Sequence, residues 1–152
     1  MMKRQATPKR LHTIGEEDPQ YGEYASNILV PVDYAEVWEG IGQDVENYGV
    51  AHLRIRLEDF TIPESFEYRR GDFDTDDEFE AARRAHDEGR ADIDEQNTAV
   101  LDVLKGRVKE FMLAYLAGTK YTVRVYVHRL VTSNHFLVTI RRKKRKKYKQ
   151  KK

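Results

Sequence analysis

Apolar residues recur at helical spacing between positions 33 and 49. The residues on this stripe are Tyr34, Val37, Trp38, Ile41, Val45 and Tyr48. Asp33 and Glu36 have the spacing of a capping box, in which each side chain accepts a hydrogen bond from the other residue's backbone N–H. Gly49 follows the last apolar position, where a left-handed glycine commonly ends a helix. The pattern therefore predicts an amphipathic helix that begins at Asp33 and stops at Gly49.

Three segments alternate between apolar and polar residues with a period of two, which is typical of half-buried strands. These segments are 51–57, 121–130 and 135–142. A turn through 132–134 joins the last two. A further short apolar run, Ile28–Val32, is predicted to be a strand at a sheet edge, because Pro31 cannot donate a ladder hydrogen bond.

Two more helices are predicted in the middle of the chain. Thr75 and Glu78 form a second capping-box pair, and the short acidic helix that they begin is expected to stop near Gly89. A longer helix follows, with Asp92 at its start and Gly118 at its end. Its buried stripe comprises Ile93, Val100, Leu104, Val108, Phe111 and Tyr115.

The resulting order is strand, helix, strand, helix, helix, strand and strand. This order indicates an α+β fold, a two-layer sandwich of a small, mostly antiparallel sheet with two main helices on one face. Residues 1–25 lack periodicity, so we expect a flexible, extended N-terminal arm. One α+β domain then covers 26–140, with an acidic insertion and short helix at 58–96. A basic C-terminal tail occupies 141–152.

Composition narrows the possible functions. The chain has 152 residues and no cysteine, which excludes disulfides, thiolate catalysis and cysteine-ligated metal centres. Its longest apolar stretch, Phe111–Gly118, is far shorter than the ~20 residues that span a bilayer. No hydrophobic segment of a secretory signal follows the basic residues 1–10. We therefore expect no cofactor and no membrane partner, and a location in the cytoplasm or nucleoid, in a eukaryotic nucleus, or inside a virus particle.

The net charge of +1 hides a large separation of charge along the chain. Residues 1–57 carry a net −3, residues 58–96 a net −10 and residues 97–152 a net +14. The distribution of charge therefore says more about binding partners than the overall balance does.

The C-terminal tail holds the densest positive charge. Ten of the twelve residues from Arg141 to Lys152 are lysine or arginine. These charges repel one another and cannot form a core, so the isolated segment is expected to be disordered. Nucleic acid is the most common dense polyanion, and binding it releases condensed counterions. A tail that only solubilises the protein is the alternative, and residues 143–147 also fit a nuclear import signal, a common kind of sequence.

Alternation places a second group of basic residues on the side of the strands that faces away from the core. It comprises His52, Arg54 and Arg56, then Thr122, Arg124, Tyr126 and His128, and finally His135, Leu137, Thr139 and Arg141. Guanidinium groups bind phosphates and Tyr126 can stack on a base, so this face suits single-stranded or irregular nucleic acid. An ordinary solvated face of an antiparallel sheet is the alternative.

The acidic segment allows three interpretations. Residues 72–77 alternate carboxylates like a calcium loop, but Asp77 stands at the glycine position and Arg83 where a bidentate glutamate closes the site, so no metal is predicted. Carboxylates in the first turn of a helix are also favoured by its dipole. Finally, residues 58–96 could receive the basic tail of a neighbouring copy, and head-to-tail contacts of this kind build rings or filaments.

Catalytic motifs are scarce in this chain. The strongest candidate is the pair His52 and His128, which could serve as general acid and base of a metal-independent nuclease if they meet across strands. Because no other constellation supports catalysis, we predict that the protein is not an enzyme.

These observations predict a non-enzymatic protein that binds DNA or RNA through non-specific contacts with the phosphate backbone. The predicted contact residues are Arg54, Arg56, Arg124, Tyr126, His128, Arg141, Arg142, Lys143, Lys144, Arg145, Lys146, Lys147 and Lys149. The alternative is a structural component of a virus or phage particle, or of another homo-oligomeric assembly. In that case the basic tail contacts packaged genome or the acidic segment of a neighbouring subunit.

Overall fold

The computed structural model describes residues 11–14, 22–29, 34–130 and 135–145. Within them the chain forms four strands and two α-helices. In chain order these are β1 (His12–Ile14), α1 (Ala35–Tyr48), β2 (Val50–Ile55), α2 (Asp76–Tyr115), β3 (Tyr121–Leu130) and β4 (His135–Lys144). Single 3₁₀ turns lie at Ala25–Asn27 and Arg70–Asp72. The predicted small α+β fold with a mostly antiparallel sheet is confirmed.

The four strands form one sheet in the order β1-β2-β4-β3. β1 runs parallel to β2, whereas β4 pairs antiparallel with both β2 and β3. The chain therefore places its last strand in the middle of the sheet and leaves β3 at an edge. This order decides which of the predicted surface residues become neighbours.

Both helices pack on the same face of the sheet, which we call the inner face. The fully buried side chains of the core include Ile41 and Val45 of α1, Leu104, Val108 and Met112 of α2, and Leu53, Ile55, Phe136, Val138 and Ile140 of the strands. The strand members of this core sit at alternate positions, as the period of two predicts. Trp38 connects α1 to the segment before it through a hydrogen bond, in which its indole Nε1–H donates to the carbonyl of Ile28 at 2.8 Å.

The predicted stop of α1 at Gly49 is confirmed. Gly49 adopts φ +81°, and its N–H donates to the carbonyl of Val45 at 3.0 Å. An L side chain rarely adopts this left-handed conformation, which is why glycine is suited to the position. The proposed cap at Asp33 lies outside the described residues.

The prediction of two separate helices between residues 75 and 118 is wrong. One helix of 40 residues spans Asp76–Tyr115 and is about 60 Å long at 1.5 Å per residue. Its predicted start is confirmed, because Thr75 Oγ1 accepts the N–H of Glu78 at 3.1 Å. Gly89 does not end it, since one glycine costs only about 1 kcal/mol relative to alanine and strong helix formers flank it.

The N-terminal half of α2 extends away from the core. None of its residues from 76 to 96 is buried. An aromatic cluster instead holds the preceding loop against it: the ring of Phe66 lies 6.0 Å from that of Phe79 and 5.2 Å from that of His86, measured between centroids. The acidic half of the helix is thus attached by a small cluster of its own rather than by the sheet.

The first strand is not where the pattern predicts it. Ile28 and Leu29 lie in a turn, and residues 30–33 are outside the described part of the chain. The edge position is taken instead by β1, within the segment expected to be an extended arm. There, His12 Nε2 lies 2.9 Å from Asp44 Oδ2, and both side chains are buried. Three residues are too short to show a period, so the sequence pattern could not reveal β1. The predicted turn at 132–134 also lies outside the described residues.

Candidate nucleic-acid interface

The sheet carries only positive formal charge. None of its four strands contains aspartate or glutamate. Their lysines and arginines are Arg54, Arg124, Arg129, Arg141, Arg142, Lys143 and Lys144. The acidic residues of the described chain therefore lie in helices and loops, and the sheet has a net positive charge.

The face of the sheet opposite the helices, which we call the outer face, is arranged in cross-strand rows. One row joins His52, Thr139 and Tyr126, and the next joins Arg54, Leu137 and His128. Further along β3 and β4, Arg124 lies opposite Arg141, and Thr122 opposite Lys143. No helix among the described residues packs on this face. The predicted convergence of three strands on one basic surface is thus what the register produces.

Arg124 and Arg141 form a like-charged cross-strand pair on the outer face. They are directly paired in the β3–β4 register, and both side chains are exposed. No carboxylate in the described ranges forms an ion pair with either one. Like charges placed directly opposite each other on antiparallel strands are destabilising. A bound anion is the simplest way to relieve this repulsion.

An exposed aromatic ring lies one row away from that pair. Tyr126 retains 45% of its accessible surface, although it sits in the interior of a ten-residue strand. Its row partner Thr139 is small, so the face of the phenol ring is not covered from that side. A ring in this position can stack on a base whose phosphates lie over the neighbouring arginines.

The remaining predicted residues of the outer face differ in exposure. His128 is exposed, whereas the side chains of Arg54 and Arg56 are half-buried. His135, which alternation also places on this face, is buried at the far end of β4 opposite Leu130. The open cationic area therefore centres on the β3–β4 half of the sheet rather than on β2.

The first residues of the basic tail belong to the sheet. β4 continues through Lys144, so residues 141–144 are strand, and the backbone N–H of Arg145 donates to the carbonyl of Lys120 at 2.8 Å. Alternation puts Lys143 on the outer face with Arg141. Lys146, Lys147 and Lys149 lie outside the described residues.

Arg142 stabilises the fold instead of pointing to the outer face. Its guanidinium donates to the carbonyl of Glu46 at 2.8 Å, at the C-terminus of α1, and lies 4.3 Å from the ring centroid of Tyr121. A cation at this position satisfies helix carbonyls and is favoured by the helix dipole. The sequence contained this signal, because Arg142 has the same strand parity as the buried Ile140.

A second cationic feature, which no pattern in the sequence predicts, lies where α2 passes the edge of the sheet. A cleft of about 430 Å³ opens between α2 and β3. Lys105, Gly106 and Lys109 line it from the helix, and Arg124 and Lys143 line it from the strands. The spacing of the two lysines placed them on one side of a helix, but only the crossing of α2 over β3 brings them to the arginine.

The structure does not bring His52 and His128 together. β4 lies between their strands, and the two histidines belong to different rows. The strand spacing and the rise per residue place their Cα atoms about 12 Å apart. His52 Nδ1 lies instead 3.3 Å from Thr139 Oγ1. Shared acid–base chemistry between these two rings is not supported by this arrangement.

Some carboxylates of the acidic segment have local partners. Asp72 Oδ2 accepts the backbone N–H of Arg69 at 2.8 Å, and Asp76 pairs with the guanidinium of Arg70. Among the described residues, no group of three histidine, aspartate or glutamate side chains could hold a metal ion. No helix in the same ranges combines the length and apolar character needed to cross a bilayer.

Comparisons of the chain with protein-family models, with curated proteins and with solved structures gave no match.

Proposed function

We propose that the protein binds nucleic acid without catalysing a reaction on it, using the outer face of the sheet and the basic residues that follow β4 to contact the phosphate backbone. The supporting observation is the directly opposed pair Arg124 and Arg141 on a sheet whose strands contain no acidic residue. Such a pair is stabilised when a polyanion supplies the missing negative charge.

The position of Lys143 and Tyr126 supports the same function. Lys143 follows Arg141 by two residues on the outer face, so these two cations lie on a line along β4, about 7 Å apart. Tyr126 offers an exposed ring beside this line. Cations that track a backbone, together with an aromatic ring that stacks on a base, are the usual components of single-strand binding surfaces.

Binding of labelled single-stranded and duplex oligonucleotides, followed by fluorescence anisotropy at about 50 and 200 mM salt, tests this function. We expect the double substitution Arg124→Gln and Arg141→Gln to weaken binding and to make the salt dependence shallower. Each lost phosphate contact changes the slope of log K against log salt by about 0.7 for a single strand.

The matched control removes two arginines from the acidic half of α2. Arg84→Gln with Arg90→Gln changes the net charge by the same amount, far from the sheet, and should leave affinity close to that of the wild type. Wild-type protein that binds no oligonucleotide at the lower salt concentration would overturn the proposed function.

A second candidate function is a structural role in a particle or other assembly, in which the basic residues meet packaged genome or a neighbouring subunit. The charge gradient along α2 favours it: residues 76–96 of the helix carry nine acidic and three basic side chains, whereas the cationic cleft lies beside its C-terminal half. Sedimentation over a range of protein and salt concentrations tests it. A monomer under all of these conditions in the absence of nucleic acid argues against contacts between subunits.

A further inference from the structure

The cleft between α2 and β3 has a lining unlike that of an ordinary surface depression. Four of its lining residues are cations, Lys105, Lys109, Arg124 and Lys143, and none is acidic. All four side chains are exposed, and no carboxylate of the described residues forms an ion pair with any of them. A concave surface lined with one sign of charge concentrates its electric field and attracts counter-ions.

Two of the four cations in this lining also belong to the outer face. Arg124 and Lys143 project from the β3–β4 pair on the side away from the helices, whereas the two lysines reach the cleft from α2 on the inner side. The cationic surface therefore continues from the outer face, around the edge formed by β3, and into the cleft. No strand in the described part of the chain pairs with that edge of β3, so its outward backbone N–H groups are also available to an anion.

We infer that this cleft holds a phosphate group and its nucleotide from a single-stranded nucleic acid that leaves the outer face and turns around the edge of β3. The inference rests on the proposed function and deepens it, because it states the path of the strand and the form of nucleic acid that the protein prefers. Lys105 and Lys109 bind the phosphate, and the apolar side chains of Val123 and Val125, which also line the cleft, contact the sugar or base.

Selectivity for single strands follows from the shape of the site. A single strand bends freely and exposes its bases, so it can enter a cleft of about 430 Å³ and place another base on Tyr126. A duplex keeps its bases paired and is too wide and too stiff to turn around the edge of one strand. It can reach the outer face but not the two lysines of α2.

Removal of the helix cations is the first test. With Lys105→Gln and Lys109→Gln together, we expect about a tenfold loss of affinity for a single-stranded oligonucleotide, and a salt slope that is shallower by about 1. Duplex affinity should change by less than about twofold. The control is again Arg84→Gln with Arg90→Gln, which removes the same charge from the same helix at positions away from the cleft.

Gly106 provides a second test that leaves all cations in place. A Cβ added at this residue meets no atom within 4 Å, so larger side chains fit the fold and project into the cleft. Gly106→Glu should therefore weaken single-strand binding by about tenfold, as removal of the two lysines does, while the melting temperature is maintained. Gly106→Ala is the size control, and Gly89→Glu is the position control, since a Cβ at Gly89 also meets open space on the same helix.

The outcomes separate the cleft from the proposed function. If both cleft variants bind a single strand with the same affinity as the wild type, the cleft site is overturned and binding by the outer face remains supported. Equal or tighter binding of duplex by the wild type overturns the strand path as well. A free nucleoside triphosphate carries the same phosphate chemistry and could occupy the cleft instead. Calorimetry measures its binding to the wild type and to the cleft variants. If the variants weaken only nucleoside triphosphate binding, the cleft is a nucleotide site and the proposed strand path is wrong. Failure of the wild type to bind any oligonucleotide overturns the proposed function itself.

Discussion

Arg124 and Arg141 occupy directly paired positions on β3 and β4, and no described carboxylate neutralises either guanidinium. Cross-strand pairs of this kind usually contribute about 0.2–1 kcal/mol when their charges are opposite, and like charges reverse the sign. The two arginines thus weaken the free protein at the position where the cations of β3 and β4 converge. Groups that reduce stability while they remain exposed are candidates for binding.

We therefore expect Arg141→Gln to raise the free energy of unfolding by a few tenths of a kcal/mol and to weaken oligonucleotide binding at the same time. Urea unfolding and fluorescence anisotropy measure the two effects on the same preparations. Arg84→Gln, in the exposed acidic half of α2, should change neither quantity appreciably. A loss of stability in Arg141→Gln would contradict the assignment of repulsion to this pair.

The two helices are in close contact at Gly42 and Tyr115. A Cβ at Gly42 would lie 2.6 Å from carbons of the Tyr115 ring, which is closer than carbon atoms can approach. We expect Gly42→Ala to destabilise the protein by about 1–3 kcal/mol, despite the better helix propensity of alanine. Chemical denaturation measures this loss. The same substitution at Gly106, where space is open, should instead stabilise by up to about 1 kcal/mol.

Tyr115 should also make stability depend on alkaline pH. Burial raises the pKa of Tyr115 above its ordinary value of 10.0, and the negative charges of Glu46 and Glu39 raise it further. The folded state therefore keeps the phenol protonated at a pH where the unfolded chain has begun to lose the proton. Its contribution to stability is present below about pH 10 and is lost as the pH rises through the folded-state pKa. Tyr115→Phe should show a flatter decline of melting temperature above pH 10, and Glu46→Gln a partial reduction of the same slope.

The position at which the basic tail is cut should decide whether the fold survives. A deletion that begins at Lys146 keeps all described pairing of β4, so its melting temperature should stay near that of the wild type while salt-dependent binding weakens. A deletion that begins at Arg141 removes the guanidinium that caps α1 and the strand residues opposite 121–124. We expect that form to melt at least about 4 °C lower, and thermal unfolding followed by circular dichroism compares the two.

Local patterns predicted β2, β3 and β4 well but missed β1, because alternation shows which face a side chain lies on only where a strand is long enough to display it. The alternation in 121–130 matches β3, and β4 exceeds its predicted end by only two residues. The predicted break at Gly89 failed for the opposite reason. A single glycine is a weak local signal, and the helix formers on both sides of it determined the outcome.

Features that depend on which elements meet could not be predicted from spacing alone. The basic outer face could be predicted from the sequence, because alternation within each strand is enough to define it. The separation of His52 from His128 could not, because it follows from the position of β4 between β2 and β3. In the same way, Lys105 and Lys109 became part of a site only because α2 crosses the inner side of β3. Contacts between distant segments have no signature in a single sequence without an internal repeat.

The unbroken helix α2 keeps the acidic and basic parts of the molecule apart, which gives the molecule a permanent electric dipole moment. Residues 84 and 105 are separated by about 32 Å of continuous α-helix, so the acidic N-terminal half of α2 cannot fold back onto the cationic sheet. A polyanion attracts the cationic sheet and repels the acidic half of α2. These opposing forces exert a torque that aligns the approaching protein before contact. If the protein binds a polyanion as proposed, each bound molecule holds the acidic half of α2 away from the polymer, where it is accessible to other proteins.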